Sequence, residues 1–259
     1  MTISIMRNNS PLLKNKVLKT ILSAIIVLSI WEIAALLIND AYFLPDILQT
    51  SKALIKIISS RIFFEVVFTS VYRVFSGLFY GVAAGTVLAG ICYKFDIVNS
   101  IISPIISIMK ATPVACIIVL LWVSLNYTEL AIFVVILMVL PIVWQNVYEG
   151  LKAVDDQLNE VTKVFELTKF QRLKVLVVPS VLSYLLPAIV TSVGLAWKAE
   201  VAAEIMSNSN MGRLIYDFKT VSYDTASIFA WTVIIVTLSI VFEKVTKMLF
   251  GRVMNGLKS

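Results

Sequence analysis

Residues Leu130–Val147, LAIFVVILMVLPIVWQNV, run for 18 positions without one Asp, Glu, Lys or Arg. A bilayer core of about 30 Å needs roughly 20 apolar residues in one helix, so this stretch has the length and chemistry of a membrane span. Moving outward, five further runs qualify: Thr20–Ile38, Val67–Cys92, Ile101–Leu125, Val181–Met206 and Ala226–Phe242. Only 15% of the 259 residues are charged and 59% are hydrophobic, against roughly 25% charged in a soluble domain. The apolar excess is gathered into these runs, which predicts an all-α polytopic membrane protein with six transmembrane helices. Thr20–Ile38 is longer than a signal-peptide apolar region and lacks a small-residue cleavage site, so it is expected to remain as a helix.

The charges outside the runs orient the chain. The loop after the fourth span carries Lys152, Lys163, Lys169, Arg172 and Lys174, and basic residues also crowd both termini. The opposite side holds Lys52, Lys56, Arg61, Arg213 and Lys219. This asymmetry predicts that both termini are cytoplasmic. It also accounts for the net charge of +6 without a nucleic-acid partner. Pro45–Ile58 has apolar residues at helical spacing and reads as a short amphipathic helix at the outer interface.

Several chemistries are excluded. The chain has no histidine, which removes imidazole acid–base catalysis and His-based metal sites. Cys92 and Cys116 have no partner at metal-ligand spacing and read as small packing residues. No G-x-x-x-x-G-K-[ST] phosphate loop is present, so ATP cannot bind in that way.

Four features rise above the apolar background. Gly77, Gly81 and Gly85, with Ala89, recur every four residues in the second span. They make a helix-packing seam, or the lining of a substrate path. Lys110 stands beside Thr112-Pro113, where proline breaks the third span. Broken helices at membrane depth line cavities or are buried in protein, so Lys110, Thr112 and Pro113 are candidates for the substrate path, the other reading being a lysine that snorkels to the inner interface or pairs internally. The fifth span carries Trp197, Lys198, Glu200 and Glu204, with the two carboxylates one turn apart on one face. They are candidates for a path or gate, or interfacial structural charges. Glu32 and Arg73 also fall inside spans and read as packing or interface charges.

The loop from Tyr148 to Val178 differs in kind. It is rich in both charge signs, and Val154, Leu158, Val161, Val164, Phe165 and Leu167 recur at helical spacing. Pro179 is expected to stop that pattern before the fifth span. Such a loop serves as a docking element for a cytoplasmic partner or as a membrane-surface helix.

Here the sequence resembles the binding-protein-dependent ABC importer permeases, whose cytoplasmic loop reads Glu-Ala-Ala, three residues, Gly, nine residues, Ile, one residue, Leu-Pro. The pattern begins at Glu160-Val161-Thr162, Lys163 sits where a related subfamily often has Arg, Leu176 and Val178 take the Ile and Leu positions, and Pro179 is the proline. Both alanines are replaced, and Glu166 occupies the glycine position. Because glycine normally permits the turn between two short helices, the loop is expected to be differently shaped or to run as a more continuous helix. Ser70–Gly77, Lys110–Ala115, Ala196–Glu204 and Met211–Ile215 are similar to the nitrate/sulfonate/taurine-type branch.

The resemblance implies the type I importer permease fold. A transmembrane domain would span 62–250, with a coupling loop at 148–179, preceded by the first helix and amphipathic segment (1–61) and followed by a tail (251–259). It further implies a second, identical permease copy, two cytoplasmic ABC ATPase subunits that carry the ATP, an extracellular or periplasmic solute-binding protein, and residence in a prokaryotic plasma membrane among its lipids. No cofactor or metal is expected on this chain. Lysines facing the path suit a small organic anion such as a sulfonate, or nitrate, though the branch is also similar to carriers of pyrimidine vitamin precursors. Two other classes stay open at this point. One is a gradient-driven secondary transporter or channel. The other is a membrane-embedded enzyme built on Glu200 and Glu204.

Overall fold

A computed structural model describes residues 16–154 and 165–258, with side chains described for 18–154 and 165–251. Helices dominate, and no strand occurs among the described residues. In chain order they are α1 (Lys16–Ile38), α2 (Ile47–Ile58), α3 (Arg61–Lys94), α4 (Asp96–Ala111), α5 (Val114–Trp122), α6 (Tyr127–Lys152), α7 (Lys169–Arg172), α8 (Val178–Met206), α9 (Asn210–Thr220) and α10 (Thr225–Lys258). Five continuous helical stretches are long and apolar enough to cross a membrane, and α4 with α5 makes a sixth if the bent pair is one span.

The core is a layered stack of α3 on α6 on α8, with α10 closing against α8 and α2 lying across α10. The span quoted above lies at its centre: Leu130, Ala131, Val134, Val135, Val139 and Val143 of α6 are buried. The glycine seam of α3 meets α6 directly. A Cβ placed on Gly77 would lie 2.6 Å from Val135 Cβ, one on Gly81 would lie 2.9 Å from Val139 Cβ, and one on Gly85 would lie 2.9 Å from the Leu140 carbonyl oxygen. No side chain fits there, so the two backbones approach as closely as helices can in lipid, where van der Waals packing drives association.

That seam also fixes direction. Advancing from Gly77 to Gly85 on α3 advances from Val135 to Val143 on α6, so the two helices run parallel. The chain between them must therefore return across the layer, and α4 and α5 make that return. They are bent by 100° at a short break, which departs from the single span expected over Ile101–Leu125. Thr112 is extended (φ −76°, ψ 126°), the conformation forced on a residue that precedes proline.

One further expectation is corrected. Pro179 does not end a helix: helical backbone is continuous from Lys169 to Met206 over 38 residues. Pro179 is the second residue of α8, inside the continuous helix, where proline removes one backbone donor. A π-helical turn at Leu173–Val177 joins α7 to α8 and shifts the hydrogen-bond register ahead of the proline. Of the two shapes expected for the loop, differently turned or more continuously helical, the described residues 165–168 take the turned one. Glu166 has φ 50°, and the turn it makes ends in a Thr168–Gln171 capping box that starts α7. The glutamate adopts the left-handed backbone that glycine would supply most easily.

The first helix is peripheral, with 6% of its span buried against 50% for α6. Glu32 is more than an interface charge, because its carboxylate accepts from the Ile47 N–H at 3.0 Å. It thereby satisfies an orphan donor at the N-terminus of α2 beside the Asp46 cap. Trp31 Nε1 donates to the Pro45 carbonyl, fixing the same corner.

Candidate functional site

The most concentrated polar chemistry lies where α3 and α6 begin and α8 ends. Glu204 of α8 is fully buried and accepts four hydrogen bonds. The donors are Ser70 Oγ at 2.8 Å, Arg73 Nη1 at 2.7 Å, Asn210 Nδ2 at 3.0 Å and the Met211 N–H at 3.1 Å. Arg73 is itself buried and reaches Thr128 Oγ1 of α6 at 3.3 Å. Asn210 Nδ2 also donates to the Val66 carbonyl at 2.8 Å. One carboxylate thus ties α3 to α8 and α9, and Arg73 extends the node to α6.

The local sequence builds this node in steps. Asn208 and Asn210 take left-handed backbone (φ 52° and 46°), which asparagine tolerates better than most residues. The turn folds α9 back onto α8 so tightly that a Cβ on Gly212 would sit 2.1 Å from the Glu204 carbonyl carbon. Its second residue, Met211, donates its N–H to Glu204, so the positive end of the α9 dipole faces the carboxylate. Arg73, read from sequence as a packing or interface charge, is the counter-ion that reading missed. The available signal was charge inventory: an arginine and two carboxylates in apolar spans must find partners.

The predicted path residues separate into two sets. Glu200 and Glu204 are fully buried, and Trp197, at 1% exposure, shows only an edge to the groove between α8 and α10. Trp197 donates Nε1 to the Ile235 carbonyl at 3.0 Å and packs against Phe242. Neither carboxylate oxygen of Glu200 has a hydrogen-bond partner among the described residues. Lys198, by contrast, is exposed. It lines a groove of about 490 Å³ between α8 and α10 with Glu243, Ser239 and apolar neighbours.

At the helix break, Lys110 is exposed and donates to Gln145 Oε1 of α6. Gln145 in turn donates to Glu149 at 2.9 Å. Thr112 bonds back to the Ile108 carbonyl at 2.8 Å and Pro113 is exposed. Lys110 is therefore held by a neutral amide rather than by a carboxylate, and its charge is not cancelled by direct contact.

At the corner between α6 and α8, Glu160 and Lys163 lie outside the described residues. Leu176 is buried, Pro179 half-buried and Glu166 exposed. Ser180 Oγ donates to the Gly150 carbonyl at 2.8 Å, pinning the start of α8 to the end of α6. Around that anchored point Phe165, Phe170, Leu173 and Val175 all stand exposed.

The sequence matches a family model over residues 81–255, described as the binding-protein-dependent transport system inner membrane component. The chain belongs to that family. It is a multi-pass membrane permease component of an ABC importer, of the nitrate and sulfonate branch, and this membership does not favour the gradient-driven or enzyme readings. A putative aliphatic sulfonates transport permease protein of Bacillus subtilis is 26% identical over 224 residues, covering 84% of this chain and 79% of the relative. A nitrate import permease protein of Synechococcus elongatus is 26% identical over 160 residues, covering 61% and 57%. Among solved structures, an inward-facing methionine ABC transporter superposes with a TM-score of 0.63 at 14% identity, covering 76% of this permease and 96% of that chain. The matched region begins at Gly81, so Ser70 and Arg73 precede it, whereas Glu200, Glu204 and Met211 fall within it.

Proposed function

We propose that this permease works as one of two identical copies, with both termini cytoplasmic, and that ATP is bound and hydrolysed on separate ATPase subunits docked at the corner between α6 and α8. A binding protein on the opposite side delivers the solute. The observation that carries this reading is that corner: a left-handed turn at Glu166, a capped α7 and four exposed apolar side chains, anchored to α6 through Ser180. An exposed apolar cluster on a fixed corner, on the side rich in basic residues, suits a protein partner. The test is to tag the permease, solubilise native membranes in mild detergent and identify what co-purifies, with Phe170→Glu and Pro179→Ala alongside. An ATPase retained by the wild type and lost from Phe170→Glu supports the docking site. Its absence from the wild type, under conditions that hold other ABC complexes together, would sink it.

The solute is a small anion. Relatives are named for sulfonates, nitrate and bicarbonate transport, and the uncancelled Lys110 at the helix break supplies a cation suited to such a path. Lys110→Ala should lower uptake of the anion at least several-fold while the complex still assembles. Wild-type uptake in that variant would remove the lysine from the path.

A further inference from the structure

Two carboxylates and one guanidinium are buried together, and they are unequally served. Glu204 has four donors, whereas Glu200, one turn earlier on the same helix and equally buried, has none. The Arg73 Nε–H is also buried without an acceptor. These three atoms, Glu200 Oε1 and Oε2 and Arg73 Nε, are half of the six unpaired buried side-chain polar atoms among the described residues. An unpartnered carboxylate inside a membrane bundle is strongly unfavourable. Orphan acceptors and an orphan donor belonging to one charge cluster are complementary. Glu204, Arg73 and Ser70 are the groups that act on Glu200.

We propose that Glu200 is the alternate acceptor of Arg73, and that the guanidinium passes from Glu204 to Glu200 during the transport cycle.

The partition of Glu204's donors makes this exchange feasible. Two of the four, Asn210 Nδ2 and Met211 N–H, come from α9, which the Gly212 contact locks to α8. They travel with Glu204 and still satisfy it when α3's Ser70 and Arg73 are withdrawn, although Asn210 then gives up its own bonds to the Val66 carbonyl and Ser70 Oγ of α3. Glu200 has no such reserve. The two glutamates are about 6 Å apart along α8, roughly one turn of helix, and packed elements are known to step past one another by one turn between two discrete arrangements. The α3–α6 seam, with valines against glycines, resists sliding. The displacement is therefore assigned to α8 and α9 moving as a unit against α3. Glu200 acts here as a positioning residue: it holds one of two states and does not touch the solute.

The inference rests on the permease acting with an ATPase and a binding protein, and the test separates the two. The complex is reconstituted in lipid nanodiscs and its ATP hydrolysis measured with and without loaded binding protein. Glu200→Gln should hold Arg73 on Glu204, abolishing stimulation by at least about tenfold without lowering the complex's thermal stability. Glu204→Gln should release Arg73 to Glu200 and raise hydrolysis several-fold in the absence of binding protein. Glu200→Asp should restore part of the stimulation. Opposite shifts from the two neutralised glutamates are the signature, since a purely structural pair would move both variants the same way. Wild-type behaviour of Glu200→Gln, or same-direction shifts, would overturn the exchange. If Glu204→Gln does not fold, the wild-type complex trapped with vanadate decides. Arg73 bonded to Glu200 supports the exchange, and Arg73 still on Glu204 in both nucleotide states ends it. A wild type that binds no ATPase would remove the permease–ATPase reading and this one together.

Discussion

At one end of α8, Glu204 gathers donors from α3 and α9 and nothing of its carboxylate reaches solvent. At the other, Phe165, Phe170, Leu173 and Val175 stand between 47% and 73% exposed around a turn held by a strained glutamate. The first end satisfies its own polar groups by burying them against each other. The second leaves its apolar groups for something else to cover. A single helix thus joins a closed polar node to an open apolar corner, and substitutions at the two ends should separate stability from assembly.

The largest effect is expected at the node. Arg73→Leu leaves the buried Glu204 carboxylate without its counter-ion, and removing one partner of a buried pair costs about 3–5 kcal/mol, read as lost monodisperse protein and a lower unfolding temperature in detergent. A stable Arg73→Leu protein would show that the node contributes no cohesion and would collapse the contrast. Next comes the seam behind it. Gly77→Ala forces a Cβ against Val135, and such overpacking costs about 1–3 kcal/mol. Gly90→Ala, with nothing within 4 Å, is the matched control and should be neutral or slightly stabilising.

At the corner the expected effects on stability shrink while those on assembly grow. Glu166→Gly should relieve left-handed strain, on the order of 1 kcal/mol, and keep transport, whereas Glu166→Val should lower both, because a β-branched residue fits that backbone worst. Phe170→Ser should leave the unfolding temperature of the isolated permease within about 0.5 kcal/mol and yet lose the ATPase in pull-down. A Phe170→Ser protein that unfolds early would mean the corner is cohesive after all.

The bundle was legible because hydropathy and the four-residue glycine repeat are local signals. Thr20–Ile38, Leu130–Val147 and Ala226–Phe242 each fall inside a single observed helix. Pro113 announced a break, but no local pattern states its 100° angle. The Arg73–Glu204 pair spans 131 residues, so composition could demand a partner for Glu204 without naming it. Glu166 was ambiguous for the opposite reason. Glycine is the easy occupant of left-handed backbone, and its absence left a differently shaped turn and a more continuous helix both open. The Thr168–Gln171 cap and the Ser180–Gly150 tie fix the chain around that turn, and the glutamate follows.

The continuity of helical backbone from Lys169 through the π turn and past Pro179 has a mechanical consequence. Thirty-eight residues make a rod of about 55 Å at roughly 1.5 Å per residue. A tilt of about 5° about one end of such a rod carries the other end sideways by about 5 Å, more than the reach of a hydrogen bond. A small rotation at the exposed corner would thus suffice to part Glu204 from its α3 donors at the far end.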